Sequence, residues 1–240
     1  MAKSKNSIYI ATPCYNGDTR VNYTNSLVNL VEELMYRKIP NKRYLTGGEA
    51  MIPRARNSHA QSFLESDHTH LLFIDSDVGF TVENFNRVLK ATERYPVAGA
   101  AYPAKDYNWN LLLQTGKMLD VMIRFFTPSE GAEIDSNGFL EVEHLPTGFM
   151  MITRECFNVL MEAYPDLHYM DHAPDTGELR KTWNFFDPLV NDDGFYLGED
   201  YSFCHRVRKA GMKMVIDIEK SGTLTHQGAH VFGKFNGLNS

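Results

Sequence analysis

Residues 71–77 have the sequence Leu71-Leu72-Phe73-Ile74-Asp75-Ser76-Asp77, four apolar residues followed by two aspartates that flank a serine. A short run without polar residues is typical of a strand that is buried on both faces of a largely parallel sheet. Carboxylates directly after such a strand lie where α/β sheets place their ligands. Their oxygens suit Mg²⁺ or Mn²⁺, which in turn bind phosphates. The segment therefore indicates an α/β fold with a metal site at Asp75 and Asp77, and the alternative is an Asp-rich turn.

Apolar runs and helical spacings alternate on both sides of this segment. The predicted strands are residues 8–11, 71–74, 97–101, 149–152 and 212–218. The predicted helices lie at about 24–38, 55–65, 85–89, 156–161 and 199–210, and a long loop is expected at 165–198. Alternation in the first part is typical of a parallel, Rossmann-like sheet. Since we find no linker and no internal repeat, we expect one domain over residues 1–240, with a change of character near residue 105.

The composition excludes several classes of protein. The chain has 240 residues, of which 24 are Lys or Arg and 30 are Asp or Glu, so its net charge is −6. This acidic balance argues against a nucleic-acid duplex as partner. The three widely spaced cysteines predict reduced thiols rather than a disulfide framework. No apolar run approaches a membrane span, and the first residues lack a signal-peptide pattern. We therefore expect a cytoplasmic protein without integral membrane contact.

Three further groups of polar residues could carry chemistry. Arg54 and Arg56 lie at a predicted helix start, where guanidinium groups and backbone N–H groups attract phosphate, unless both are simply solvated. Glu199 and Asp200 begin the last long helix, where one of them could act as a general base or both could serve the helix dipole. His226 follows the last strand and could add a nitrogen ligand to the metal, or be structural.

The motif order resembles that of GT-A glycosyltransferases. The segments that carry the resemblance are residues 10–15 (IATPCY), 54–57 (RARN), 73–77 (FIDSD), 146–149 (PTGF), 198–204 (GEDYSFC) and the late His226. The similarity spans about residues 8–233. It is strongest to compact viral and bacterial enzymes and fainter to fungal Anp1-type mannosyltransferases. The resemblance implies a GT-A fold, in which a Rossmann-like, mixed but mostly parallel sheet is flanked by helices. Residues 1–105 would form its donor half and 106–240 its acceptor half.

The resemblance also implies a role for each matching residue. The nucleotide-sugar donor would be bound by Thr12, Pro13, Tyr15, Arg54, Arg56, Asn57, Asp75, Ser76, Asp77, Thr147 and Gly148. Mn²⁺ or Mg²⁺ would be held by Asp75, Asp77 and His226, with Asp77 as a direct ligand. Gly148 would lie under the donor sugar, where a missing Cβ permits close approach. Asp200 would be the catalytic base, and Glu199 would orient the acceptor or cap the helix.

These roles describe a metal-dependent glycosyltransferase. It would move a sugar from a nucleotide-sugar donor, with UDP favoured, to a hydroxyl of a glycan or glycoconjugate, with inversion favoured over retention. The tail at about 226–240 and part of the 165–198 region would become ordered when the donor binds, and the tail, with glycines at 228, 233 and 237, would close over the diphosphate. Two alternatives remain: a nucleotidyltransferase that acts on sugar phosphates, and a non-catalytic protein that binds nucleotides or sugars.

Overall fold

The chain is described by a computed structural model over residues 6–107, 113, 122–124, 126–173, 176–219, 221–228 and 231–232. Its helices are α1 (Val21–Tyr36), α2 (Ile52–Leu64), α3 (Val82–Ala91), α4 (Arg154–Ala163) and α5 (Glu199–Lys209). The first strands are β1 (Ile8–Cys14), β2 (Asn41–Gly47), β3 (His70–Ile74), β4 (Val78–Gly79), β5 (Val97–Ala100), β6 (Pro103–Tyr107), β7 (Met122–Arg124) and β8 (Thr127–Pro128). The later strands are β9 (Phe139–His144), β10 (Phe149–Thr153), β11 (His168–His172), β12 (Leu179–Trp183), β13 (Leu189–Val190), β14 (Tyr196–Leu197), β15 (Met214–Asp217), β16 (Thr225–Gln227) and β17 (Val231–Phe232).

A central sheet has the strand order β2-β1-β3-β10-β5-β15-β9-β8. Six of its eight strands point in one direction, because only β10 and β9 run antiparallel to their neighbours on both sides. This is the mixed, mostly parallel sheet that the sequence predicts. Strand β10 lies between β3 and β5, so the second part of the chain completes the sheet that the first part begins.

Alternate residues of the central strands enter two hydrophobic clusters, one on each face of the sheet. Tyr9, Leu71 and Phe73 pack on one face with residues of α2, α4 and α5. Ile8, Ile10 and Leu72 pack on the other face with residues of α1 and α3. Both faces are covered, which explains why residues 71–74 contain no polar side chain. The predicted α/β class, with helices flanking the sheet, is confirmed.

The predicted helices and strands are confirmed with shifted ends, but one prediction for a connecting segment is wrong and one strand was not predicted. The expected long loop at 165–198 contains two hairpins, β11–β12 and β13–β14. Strand β12 is held against α2 because Arg180 bonds to Ser58 and Glu65. Edge strand β2 was not predicted, since its sequence NKRYLTG is largely polar. Hydrophobic periodicity does not indicate these strands, because β2 and the two hairpins are short and largely polar, and each of β2 and β12 packs only a single aromatic side chain, Tyr44 and Trp183, on the core.

No helix in the described part of the chain is long and apolar enough to cross a membrane. The tail at about 226–240, which we expect to close over a donor, is described only at residues 226–228 and 231–232, and the rest of it lies outside the described residues.

Candidate functional site

The site lies where β3 ends and β10 begins. The Asp75 backbone N–H donates to the Gly148 carbonyl at 3.0 Å, which joins the Asp-Ser-Asp segment to the Thr147-Gly148 turn. Because β3 and β10 are antiparallel, the end of one strand and the start of the other share this edge of the sheet. Helix α2 brings Arg56 to the same place, and helix α5 brings Glu199.

Arg56 is the centre of the first group of residues. Its side chain is 2% exposed, Nη2 donates to Asp75 Oδ1 at 2.9 Å, and Nε donates to Glu199 Oε1 at 3.1 Å. Burial opposes a charge on Arg56, but Asp75 and Glu199 outweigh it and raise the pKa of the guanidinium. Thr147 Oγ1 also donates to Glu199 Oε1, at 3.2 Å. A buried cation therefore fixes one carboxylate from each half of the chain.

Tyr102 and Gly148 complete this group. The hydroxyl of buried Tyr102 accepts a hydrogen bond from the Gly148 backbone, and a Cβ on Gly148 would collide with that hydroxyl and lie 2.7 Å from Asp75 Oδ2. Burial and the Asp75 charge raise the pKa of Tyr102 well above its usual value, so it stays neutral. The missing Cβ at Gly148 therefore makes room for the protein's own side chains. We call Arg56, Asp75, Tyr102, Gly148 and Glu199 the Arg56 cluster.

Asp77 forms a second group with two cationic or basic partners. The Lys105 ammonium bonds to Asp77 Oδ2, and His226 Nε2 lies 3.2 Å from Asp77 Oδ1. Burial works against the charged form of Asp77, but the hydrogen bonds and charges of His226 and Lys105 outweigh it and lower the pKa of Asp77. Asp77 is therefore ionised at neutral pH. We call Asp77, Lys105 and His226 the Asp77 cluster.

Backbone pairing brings His226 to Asp77. Strand β16 pairs with β4 so that His226 faces Val78, and the Gln227 backbone N–H donates to the Asp77 carbonyl at 2.8 Å. The pairing needs a glycine at position 79, because a Cβ there would lie 2.5 Å from Thr225 Oγ1. Strand β4 therefore holds β16, which lies almost 150 residues further along the chain, next to the aspartates.

The geometry of His226 assigns one hydrogen. Its Nδ1 lies 2.9 Å from the Pro103 carbonyl, which only accepts, so Nδ1 carries a hydrogen. Nε2 then either carries a second proton and pairs with Asp77, or presents a lone pair beside the carboxylate. The latter arrangement, with the far nitrogen held by a carbonyl, is that of a metal-ligating histidine.

The donor set fits a divalent cation only in part. Asp77 and His226 offer an oxygen and a nitrogen together, which suits Mn²⁺ when substrate phosphates supply further oxygens. Asp75, the third predicted ligand, bonds to Arg56 instead. Within the residues that the structure describes, no three His, Cys, Asp or Glu side chains are arranged to hold a metal.

Glu199 and Asp200 differ in their surroundings. Glu199 is engaged by Arg56 and Thr147. Asp200 Oδ1 accepts the Tyr201 backbone N–H at 2.8 Å, and no side-chain donor of the described residues bonds to it. Burial and the neighbouring Glu199 charge raise the pKa of Asp200 to about 6. A carboxylate with such a pKa is suited to accept a proton near neutral pH.

Several predicted donor-binding residues have other partners. Arg54 points away from Arg56, since residues two apart on a helix differ by about 200°, and it forms ion pairs with Asp171 and Glu49. Asn57 is buried, and its amide bonds to Asn184 and to the Phe186 backbone. Thr12 is buried as well and shares a hydrogen bond with Tyr23 at 2.7 Å. These contacts stabilise the fold around the site.

The remaining predicted donor-binding residues line the end of β1 and the adjoining turn. Tyr15 is 60% exposed directly after β1, which leaves its ring open to a ligand. Pro13 is partly exposed one position before buried Cys14. The Ser76 side chain forms a hydrogen bond with Cys14, and the Ser76 backbone carbonyl accepts a hydrogen bond from the Arg20 backbone N–H. Tyr15 is thus the predicted contact that the structure leaves most open.

Tyr102 and Lys105 belong to the site but were not predicted from the sequence. Both follow the predicted strand at 97–101, in the segment Tyr102-Pro103-Ala104-Lys105. Residues that follow parallel strands meet at the ligand-binding edge of the sheet. Asp75 was predicted for this reason, and the same signal points to the polar side chains of Tyr102 and Lys105.

Comparison with solved structures finds GT-A glycosyltransferases, the family that the motifs resemble. GalNAc-T7, solved with UDP, GalNAc and Mn²⁺, is 10% identical, and the match covers 90% of this chain and 43% of that protein with a TM-score of 0.49. The catalytic domain of Drosophila β1,4-galactosyltransferase 7, solved with xylobiose, is 13% identical over 89% of this chain and 66% of that one, with a TM-score of 0.44. A glycosyltransferase involved in glycosylation of the PBCV-1 major capsid is 10% identical over 67% of each chain, with a TM-score of 0.35.

No protein-family model and no curated protein matches the sequence. The chain spans less than half of the first of these structures and about two thirds of the other two. Since all three TM-scores lie below 0.5, the function proposed below depends on the residues of the site.

Proposed function

We propose that this protein is a glycosyltransferase that moves a sugar from a nucleotide-sugar donor to a hydroxyl acceptor. The observation that carries the proposal is the position of Arg56, whose buried guanidinium holds Asp75 after β3 and Glu199 at the start of α5. The first acid belongs to the proposed donor side and the second to the proposed acceptor side. Such a link keeps two binding sites at a constant separation, as a transfer reaction requires.

The donor would bind along the ends of β1 and β3, with UDP favoured over GDP. The exposed Tyr15 ring can stack on the base. A divalent cation, Mn²⁺ or Mg²⁺, held by Asp77 and His226 would supply positive charge beside the leaving diphosphate. Asp75 would contact the ribose or a water next to the cation, and its bond to Arg56 fixes its direction.

Asp200 would act as the general base of an inverting reaction. It removes the proton of the acceptor hydroxyl while the oxygen bonds to the anomeric carbon, and the bond from that carbon to the diphosphate oxygen breaks with its electron pair. The raised pKa of Asp200, about 6, lets it hold this proton more readily than an exposed aspartate does. Glu199, already bonded to Arg56 and Thr147, would orient the acceptor.

The test is a panel of UDP- and GDP-sugars with carbohydrate and glycoconjugate acceptors, assayed for released nucleotide with Mn²⁺, Mg²⁺ or EDTA. We expect nucleotide release with a UDP-sugar and a divalent cation, and its loss in Asp77→Ala. Asp192→Ala is the matched control, because Asp192 also pairs with a lysine but on an exposed surface. NMR of the product's anomeric proton then distinguishes inversion from retention.

The same panel separates the alternatives. A nucleotidyltransferase would consume a sugar phosphate with a nucleoside triphosphate and release pyrophosphate. A non-catalytic protein would bind UDP with Mn²⁺ and release nothing. If Asp77→Ala binds UDP as tightly as the wild-type protein in Mn²⁺, the proposed metal site is wrong.

A further inference from the structure

Lys105 occupies a position in the site that neither the motifs nor the proposed reaction accounts for. Its ammonium bonds to Asp77 Oδ2, on the carboxylate that we propose as a metal ligand. Strand β6 carries Lys105 and also Pro103, whose carbonyl accepts from His226 Nδ1. One short strand therefore positions both partners of Asp77.

The Lys105 contact competes with a divalent cation. A lysine ammonium and a doubly charged ion repel one another strongly at bonding distance from one carboxylate. Binding of a cation by Asp77 therefore requires Lys105 to move. The side chain can do so, because it is 39% exposed and ends in a flexible four-carbon stem. Its Cδ lies only 3.2 Å from the place of a Cβ on Gly228, so its stem runs against the backbone just after His226.

A bound diphosphate would give the displaced ammonium a new partner. It carries several negative charges and would lie beside the cation. We propose that Lys105 is a transferable counter-ion, which neutralises Asp77 in the free protein and moves to the diphosphate when nucleotide and divalent cation bind together. The inference rests on the proposed nucleotide-sugar site and adds to it a reason why the two ligands bind cooperatively.

The consequence is thermodynamic coupling between the ligands. Mn²⁺ alone must break the Lys105–Asp77 ion pair and leaves the ammonium with only water as its new partner, so it binds more weakly than it would without Lys105. With UDP present, Lys105 gains the phosphate oxygens, and Mn²⁺ binds more tightly. By linkage, Mn²⁺ increases the affinity for UDP by the same factor.

The experiment measures four dissociation constants by calorimetry, with free Mn²⁺ followed by its electron paramagnetic resonance signal. They are the dissociation constants of Mn²⁺ without UDP and with saturating UDP, each measured for the wild type and for Lys105→Met. We expect Mn²⁺ alone to bind the variant about two- to fivefold more tightly, which is the size of a partly exposed ion pair. In the wild type, UDP should increase the affinity for Mn²⁺ by a factor in the range of typical coupled sites, about five- to 150-fold. In Lys105→Met this factor should be several-fold smaller.

Lys213→Met is the matched control, since it removes the same charge from an ion pair with Glu141 on another part of the surface. It should match the wild type in all four constants. If the wild type binds UDP with Mn²⁺ and Lys105→Met binds both ligands with unchanged coupling, the inference is wrong and the proposed function stands. If the wild type does not bind UDP with Mn²⁺, the proposed function fails and the role of Lys105 fails with it.

Discussion

The Arg56 cluster and the Asp77 cluster hold the two aspartates of one Asp-Ser-Asp segment in opposite ways. The partner of Asp75 is a guanidinium with 2% exposure that is shared with Glu199. The partners of Asp77 are His226 and a lysine ammonium with 39% exposure at the end of a flexible stem. A buried guanidinium has no solvated position to move to, whereas the lysine has one. Adjacent carboxylates of the same type can therefore serve as a fixed frame and as an exchangeable ligand.

The largest expected effect is on turnover, from Asp200→Asn beside the Arg56 cluster. The change keeps the size of the side chain and removes the proposed base, so kcat should fall about 10²–10⁴-fold while UDP affinity is kept. Asp193→Asn, on the exposed turn before β14, is the control and should retain full turnover. Near-normal turnover in Asp200→Asn would contradict the inverting mechanism.

The pH dependence tests the same residue separately. Because the pKa of Asp200 in the free folded protein is about 6, wild-type kcat/KM should decline below pH 6 rather than below pH 4. This pKa is above the ordinary value, so the folded state binds the proton more tightly, and the carboxylate costs stability progressively from about pH 4 to pH 6. At pH 7.5 the free energy of unfolding of Asp200→Asn should therefore exceed that of the wild type by up to about 3 kcal/mol. At pH 4 the two proteins should have similar free energies of unfolding, and urea unfolding measures both.

Arg56→Met should cause the largest loss of stability. It leaves Asp75 and Glu199 without their buried cation, and breaking a buried pair in this way costs about 3–5 kcal/mol. Lys105→Met, the corresponding change in the Asp77 cluster, should cost less than about 1 kcal/mol because the pair is partly exposed. Urea unfolding of the two variants compares the clusters directly, and equal losses would remove the distinction between them.

Gly148→Ala should have an intermediate effect. A Cβ would collide with the Tyr102 hydroxyl and lie 2.7 Å from Asp75 Oδ2, so these side chains must shift. Overpacking of this kind costs about 1–3 kcal/mol. The Tyr102 ring carbon Cζ would also lie 2.6 Å from that Cβ. If the clash is the cause, Gly148→Ala should cost less stability in a Tyr102→Leu background, which lacks both atoms, than in the wild type, and thermal unfolding of the four proteins can measure this.

A small effect, similar to that of Lys105→Met, is expected from Arg54→Met. Arg54 is half exposed and pairs with Asp171 and Glu49, so the loss should be at most about 1 kcal/mol. Nucleotide affinity should be unchanged, in contrast to the role that the motif implies for this residue. A clear loss of UDP affinity in a titration would return Arg54 to the donor site.

Local features of the site could be predicted from the sequence, whereas features that depend on tertiary contacts could not. The strand 71–74 and the position of Asp75 and Asp77 follow from a local apolar run, which is read directly from the chain. The distinction between Arg54 and Arg56 depends on which side of α2 faces the sheet. Lys105 and Tyr102 depend on where β6 runs, and the partners of Asn57 belong to a distant segment. Such tertiary contacts leave no periodic signal in the sequence.

The place of β10 in the sheet has a consequence for how the chain folds during synthesis. Strands β3 and β5 are not paired with each other, because β10 lies between them in the sheet. In a nascent chain of about 105 residues, the edges of β3 and β5 that later pair with β10 therefore lack hydrogen-bond partners. These edges stay unpaired until β10 has been synthesised. Exposed edges of this kind promote association between chains, so we expect fragments that end before β10 to aggregate and the whole chain to fold as one late, cooperative unit.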